Sequence, residues 1–438
     1  MCVPIFRYAL LATVLFADLP IAGSAADADA DGSPRESPVD EDTMTKQMND
    51  LFDELAAEET AASGFDAARC TSGDVGALRE GARGGVPERG FQEVCMQKAS
   101  TAGHANVVRW LLDVDADVDL KDTEGKQALH HSAAAGHAEV VRLLLEARAK
   151  VAAADKRKEL PMHHAAGAGH TELVAWLIEK RAKVDAKNRN GEQPVHKAAL
   201  EGHEQVIEAL LERRADPGAA DVAGQTAAHA AAIGGHLTAL EALAEMPVDS
   251  SDRDGERPFF QAALAGHLST MAWLWAHSAS LDAPNARGMQ PVHAACYGGH
   301  ADALSWLLAK GADMEAQAES GRPAHYAAGT GSAAVLETLR EHGADLSAPG
   351  PGEMGVPARV AAQAGHVEIL EALSRLGAEP PALPDESPKD ASFGHAAVLA
   401  WLVGDDAPAA KAETPPGKRK RRRARRRRRR SGGDGEEL

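Results

Sequence analysis

The sequence predicts an all-α repeat solenoid, and three observations carry that prediction. The dipeptide Gly-His recurs from Gly103 through Gly136, Gly169, Gly202, Gly235, Gly266, Gly299, Gly365 and Gly394, and Gly331-Ser332 fills the one gap, in steps of 29 to 34 residues. Such a regular period is the mark of stacked structural units. Each unit repeats one inner order: turn, short helix, glycine, second helix. Finally, the chain is 44% hydrophobic but only 4% aromatic, so its core is built from small side chains. A single ordinary domain seldom reaches 438 residues, whereas an array does so readily.

The segments follow in order. Residues 1–26 read as a signal peptide, with Arg7 before an apolar stretch, Tyr8 to Ala17, and small residues at Gly23-Ser24-Ala25. Residues 27–42 are acidic and contain Pro and Ser, the composition of a disordered linker. Over residues 43–59, Met44, Met48, Leu51, Phe52 and Leu55 share one face of an amphipathic helix. Residues 60–89 look like a degenerate N-terminal capping unit.

The array proper is expected over residues 90–383. In one unit, Asn190-Gly191 signals a tight turn, and Pro194 opens a helix where its missing N–H is harmless. Gly202 ends that helix in a conformation that favours φ > 0. Val206, Ile207, Leu210 and Leu211 then set the buried face of a second helix. Neither helix buries its apolar face alone, so neighbours complete the core.

These residues resemble the ankyrin-repeat family. The matching stretches include Pro161-Met162-His163-His164-Ala165-Ala166, Pro194-Val195-His196-Lys197-Ala198-Ala199, Pro291-Val292-His293-Ala294-Ala295 and Pro323-Ala324-His325-Tyr326-Ala327-Ala328. Gly311-Ala312-Asp313 and Gly343-Ala344-Asp345 match the end of the family's unit. The resemblance spans roughly residues 66 to 404. It implies stacked helix-turn-helix units with β-hairpin finger loops, and a concave face of fingers and first helices that binds other proteins.

The departures are informative. The motif threonine survives only as Thr226; Gln127, Leu160, Gln193, Arg257, Gln290, Arg322 and Val356 stand elsewhere. These are poor N-caps, each expected to cost about 1 kcal/mol. Phe260 and Arg359 occupy the place of the motif histidine. Around Glu245-Met246-Pro247 a shorter step predicts a local irregularity. Residues 384–404 read as a truncated C-terminal capping unit, and residues 405–438 as a disordered tail.

That tail holds Lys418, Arg419, Lys420, Arg421, Arg422, Arg423, Arg425, Arg426, Arg427, Arg428, Arg429 and Arg430. The rest of the chain, residues 1–417, carries 35 basic against 62 acidic residues, a balance of −27. The basic tract fits a nuclear signal, a binder of nucleic acid or another anionic surface, or an intramolecular counter-charge. The two ends therefore point to different compartments: the secretory route from the N-terminus, nucleus or cytoplasm from the tail.

Catalytic and metal signatures are missing from the sequence. It holds no Walker loop, no G-x-S-x-G, no H-E-x-x-H and no kinase set. Cys2, Cys70, Cys95 and Cys296 include no close pair of the zinc type and are too few for a disulfide-stapled scaffold. Most of the 19 histidines recur once per unit, which is a structural pattern. The adjacent pairs His130-His131 and His163-His164 do not share a helix face. No catalytic, cofactor or metal residue is assigned, and no cofactor is expected.

The units differ at their finger tips and on their first helices. Lys126, Lys156, Arg157, Arg189, Arg253, Arg287, Met289 and Arg322 are the candidate tip contacts, with Tyr297 and Tyr326 on first helices. Five tryptophans, Trp110, Trp176, Trp273, Trp306 and Trp401, hold an equivalent second-helix position and read as core, while Trp275 falls outside that register. The expected function is a monomeric, non-enzymatic protein–protein interaction scaffold without a transmembrane segment. A nucleic-acid- or polyanion-associated protein acting through residues 418–430, and a substrate-docking subunit of an enzyme complex, are the alternatives.

Overall fold

The computed structural model describes residues 67–81, 89–245, 248–352 and 354–378, all within the compact unit that runs from Thr60. The signal peptide, acidic linker, amphipathic helix, closing unit with Trp401, and basic tract named above lie outside the described residues.

Among the described residues, twenty α-helices follow in pairs. The first pairs are α1 (Ala67–Ser72) with α2 (Val75–Gly81), α3 (Arg89–Ala102) with α4 (Ala105–Asp113), and α5 (Ala128–Ala135) with α6 (Ala138–Glu146). Next come α7 (Pro161–Gly167) with α8 (Thr171–Glu179), α9 (Pro194–Glu201) with α10 (Glu204–Glu212), and α11 (Ala227–Gly234) with α12 (Leu237–Ala242). Then follow α13 (Pro258–Ala265) with α14 (Leu268–Ala276), and α15 (Pro291–Gly298) with α16 (Ala301–Ala309). The last are α17 (Pro323–Thr330) with α18 (Ala333–Glu341), and α19 (Pro357–Ala364) with α20 (Val367–Arg375). First helices pack on first helices of adjacent units and second on second. The fold class is the all-helical repeat solenoid that the periodicity predicts.

The core follows the expected grammar. Val206, Ile207 and Leu210 are fully buried on α10 and Leu211 is half-buried. Buried alanine pairs, such as Ala165-Ala166 and Ala198-Ala199, let first helices approach closely. The irregular step shows as α12, which has six residues where most second helices have nine.

Two recurring histidine positions stitch the array, both filled in some units and one in others. The Gly-His imidazole reaches back: Nε2 of His137 meets the Thr101 carbonyl at 3.0 Å, and Nε2 of His203 meets that of Gly167 at 3.1 Å. The Gly-His glycine of the preceding unit must stay bare beneath that ring. At Gly103, with φ at +79°, an added Cβ would lie 2.6 Å from the His137 ring. The motif imidazole reaches forward: Nε2 of His130, His196 and His293 meets the carbonyls of Ala153, Ala219 and Ala316 at 3.1, 3.0 and 3.0 Å.

That same ring also serves the start of its own helix. The N-cap N–H of Gln127 donates to Nδ1 of His130 at 3.0 Å, that of Leu160 to His163 at 3.1 Å, and that of Gln290 to His293 at 3.0 Å. Where the motif histidine is present, one of the orphan donors at the helix start finds a ring nitrogen, and it does so at Thr226 too, whose N–H donates to His229 at 3.1 Å; the helices headed by Arg257 and Val356 lack that histidine.

Two findings depart from the expected picture. The hairpin character of the fingers is not confirmed: the Asp122 N–H donates to the Lys126 carbonyl at 2.9 Å and the Gly125 N–H to that of Asp122 at 2.9 Å, a tight turn without a ladder. Among the described residues the one β-bridge joins Ala318 and Gly321. Separately, Cys70 and Cys95 form a disulfide with Cα atoms 5.2 Å apart. Their separation of 25 residues gives no pairing signal. Stacking of α1 on α3 brings them together, both fully buried. Cys296 is free and buried.

Candidate functional site

Six successive fingers, based at Asp122, Asp155, Asn188, Asp221, Asp252 and Asn285, are each drawn closed by that side chain. Oδ1 of Asp155 accepts from the N–H groups of Arg157 and Glu159, both at 2.8 Å, and Oδ1 of Asn188 accepts from those of Asn190 and Glu192, both at 2.9 Å. This Asx-type closure projects the tip residues outward, Lys156 and Arg157 in one finger and Arg189 and Asn190 in the next. The tips then link along the array. Lys156 N–H donates to the Glu124 carbonyl at 3.0 Å, Arg189 to Arg157 at 2.7 Å, and Val222 to Asn190 at 2.8 Å. Arg253 continues to Ala223 at 3.0 Å, and Glu319 to Arg287 at 3.0 Å. Hydrogen-bonded neighbours hold these tips in one row.

The candidate tip residues divide by exposure. Lys156, Arg157, Arg189, Arg253 and Arg287 are exposed. Lys126 and Met289 are half-buried at finger bases. Arg322 is half-buried and its guanidinium meets Oε2 of Glu315 at 2.8 Å. Tyr297 is half-buried, whereas Tyr326 is only 9% exposed, its ring edge-on to His293 at 5.3 Å and to Tyr297 at 6.3 Å. Tyr326 therefore belongs to the packing between units. One tip residue was not among the candidates: Val222 is 55% exposed and sits in the row between Arg189 and Arg253.

A ladder of charged side chains lies beneath the tips. Nζ of Lys197 stands 3.0 Å from Oε1 of Glu159 and 2.9 Å from Oε2 of Glu192. Asn188 Nδ2 donates to the same two carboxylates at 3.2 and 2.7 Å. Burial alone would raise both carboxyl pKa values, but the Lys197 ammonium and the asparagine amide hold them below the ordinary value. Burial likewise opposes the lysine charge, and the two carboxylates overcome it.

Two units further on, Gln261 takes the register of Lys197. There burial raises the Glu256 pKa to about 7, reinforced by Asp252 and Asp254, with only Asn285 and Gln261 hydrogen bonds to oppose it. The same acid column thus has charged and near-neutral members, set by one partner. These inward glutamates are not tip contacts, and their signal in the sequence was the register alone.

His131 and His164 share another register. Nε2 of His131 meets Oδ2 of Asp122 at 2.9 Å, and Nε2 of His164 meets Oδ2 of Asp155 at 3.3 Å. The adjacent His163 instead bonds the Ala186 carbonyl at 3.0 Å, so the two histidines part company as helix geometry requires.

On the second helices, Trp110 is buried, while Trp176, Trp273 and Trp306 are half-buried against the core. Trp275 is 41% exposed and edge-on to Trp306 at 5.9 Å. Nζ of Lys310 lies 4.4 Å from the Trp275 ring centre, an arrangement that occupies the π-face with a cation.

Two family models match the chain. One, for ankyrin repeats in many copies, covers residues 162–211, 195–244, 228–275 and 259–308. The other, for ankyrin repeats in three copies, covers residues 77–155. Together they span more than half of the sequence. The chain belongs to the ankyrin-repeat family. Ankyrin repeats are generally protein–protein interaction modules and typically not enzymes. A comparison with curated proteins found no match. No helix among the described residues is long and apolar enough to cross a membrane.

Proposed function

We propose that this ankyrin-repeat chain is a non-enzymatic scaffold whose finger row docks an acidic or mixed-charge segment of another protein. The observation that supports this reading most is the row itself. Lys156, Arg157, Arg189 and Arg253 are exposed on backbone-linked tips, while residues 1–417 carry a balance of −27. Exposed cations on a row that also carries the exposed acids Glu124, Asp254 and Glu319, set on an anionic body, favour carboxylates at the cationic tips. Val222 adds an apolar contact between two arginines. The row is held by hydrogen bonds before any partner arrives, which lowers the entropy lost on binding.

The test is fluorescence anisotropy of a panel of acidic peptides against the chain, with and without residues 418–430 so that capture by the tail is separated. Charge reversal at Lys156, Arg157 and Arg189 is expected to weaken the best peptide at least about tenfold at low salt, with the effect shrinking as salt rises. Unchanged affinity for every peptide would contradict the proposal. The Cys70–Cys95 disulfide supports an oxidising compartment for this encounter, because such bonds persist there.

A further inference from the structure

One unit in the array gathers three metal-ligating groups. Asp155, Glu159 and His164 each offer one ligand atom, and these atoms lie within 4.8 Å of one another. The surrounding bonds prepare them. Oδ1 of Asp155 is engaged by the finger turn, leaving Oδ2 to face His164. Oε1 of Glu159 is engaged by Lys197 and Asn188, leaving Oε2 to face the same imidazole.

We infer that Asp155 Oδ2, Glu159 Oε2 and His164 Nε2 form a three-ligand site for a divalent transition-metal ion of the zinc class. In a tetrahedral zinc site with bonds of about 2.0–2.1 Å, ligand atoms stand roughly 3.3 Å apart. Nε2 of His164 is 3.3 Å from Asp155 Oδ2 and 3.7 Å from Glu159 Oε2, and all three ligand atoms lie within 4.8 Å of one another, so an ion that draws the two carboxylate oxygens together closes the site. The Asp155 side chain is 1% exposed and that of His164 is 14% exposed, so solvent reaches the imidazole side and supplies a fourth ligand. An imidazole with two carboxylates suits zinc better than magnesium or calcium, which take oxygen sets.

The array carries its own controls. The preceding unit has Asp122 and His131 but Lys126 where Glu159 stands; the following unit has Asn188, Glu192 and Lys197 where His164 stands. Each neighbour lacks a ligand and places a cation there. Lys126 also faces His164 electrostatically, so it opposes the metal from one side as Lys197 does from the other.

The experiment is isothermal titration of the full chain, stripped with EDTA, with ZnCl₂, paired with Co²⁺ absorption spectra. One equivalent of Zn²⁺ is expected above weak surface binding, with tetrahedral Co²⁺ bands. Glu159→Lys and His164→Lys, which install the residues of the neighbouring units, are expected to abolish the bands and lower zinc affinity at least about tenfold. His131→Lys should leave both unchanged, and Lys126→Gln should tighten zinc. Zn²⁺ is further expected to raise the melting temperature of the parent chain but not of His164→Lys, whose metal-free melt reports that it folds. Absence of a stoichiometric site, or equal loss in His131→Lys and His164→Lys, would overturn the inference. Neither result bears on peptide docking at the tips.

Discussion

At the scale of the residue, a buried charge here is decided by its partner. Glu159 and Glu192 are held as carboxylates by Lys197, while Glu256, with Gln261 in that register, titrates near pH 7. A folded pKa above the ordinary 4.5 means that Glu256 lowers stability as pH rises from about 4.5 to about 7. Gln261→Lys should return the pKa toward its ordinary value. Urea unfolding at pH 8 is expected to show a gain of roughly 1–3 kcal/mol that vanishes or reverses near pH 4. An equal effect at both pH values would mean that the lysine acts through packing alone. Other residues follow backbone need. Lys158 holds φ at +59° where other fingers have Gly125 or Gly191, a position glycine fills without strain.

At the scale of the element, the motif helices depend on neutral imidazoles. Nδ1 must accept from the N-cap N–H while Nε2–H donates to the next unit, an arrangement that only the neutral tautomer supplies. Burial is the largest cause of the depressed pKa in His130, His163, His196, His229, His293 and His325, reaching about 4 in His130 and His293. For a histidine lowered in the folded state, stability is complete above the unfolded value near 6.5 and is lost as pH falls toward 4. For His130 and His293 the shift to about 4 corresponds to roughly 3 kcal/mol each. The urea midpoint should therefore drop across pH 6.5 to 4, against the smaller opposing gain from Glu256. A flat midpoint over that window would contradict the neutral stitching.

Helix order and core were legible because both follow from periodicity: a Pro-opened first helix, an αL glycine and an apolar face like that of Val206, Ile207 and Leu210 recur in most copies. Registers that change from unit to unit were not legible. Whether Glu192 and Glu256 point outward or inward depends on the partner at Lys197 or Gln261, which no single unit reveals. The Cys70–Cys95 bond was hidden for a similar reason, since α1 and α3 become neighbours only through stacking. Trp275 stood outside the tryptophan register in the sequence, and exposure agrees with that irregularity.

At the scale of the molecule, two faces compete for a partner. The tip row offers cations and Val222 on linked turns, and the second helices offer Trp275 and Leu268, both exposed, with Lys310 already seated on the indole. The net charge of −18 over the full chain biases any anionic partner toward the tips. Hydrogen–deuterium exchange on the full chain, alone and with the tightest acidic peptide, separates the two most directly. Protection is expected in the peptides covering 123–126, 156–159, 189–192, 222–225 and 253–256, with the second helices unchanged. Protection confined to residues 268–276 and 301–310 would place the docking surface on the tryptophan face and contradict the account.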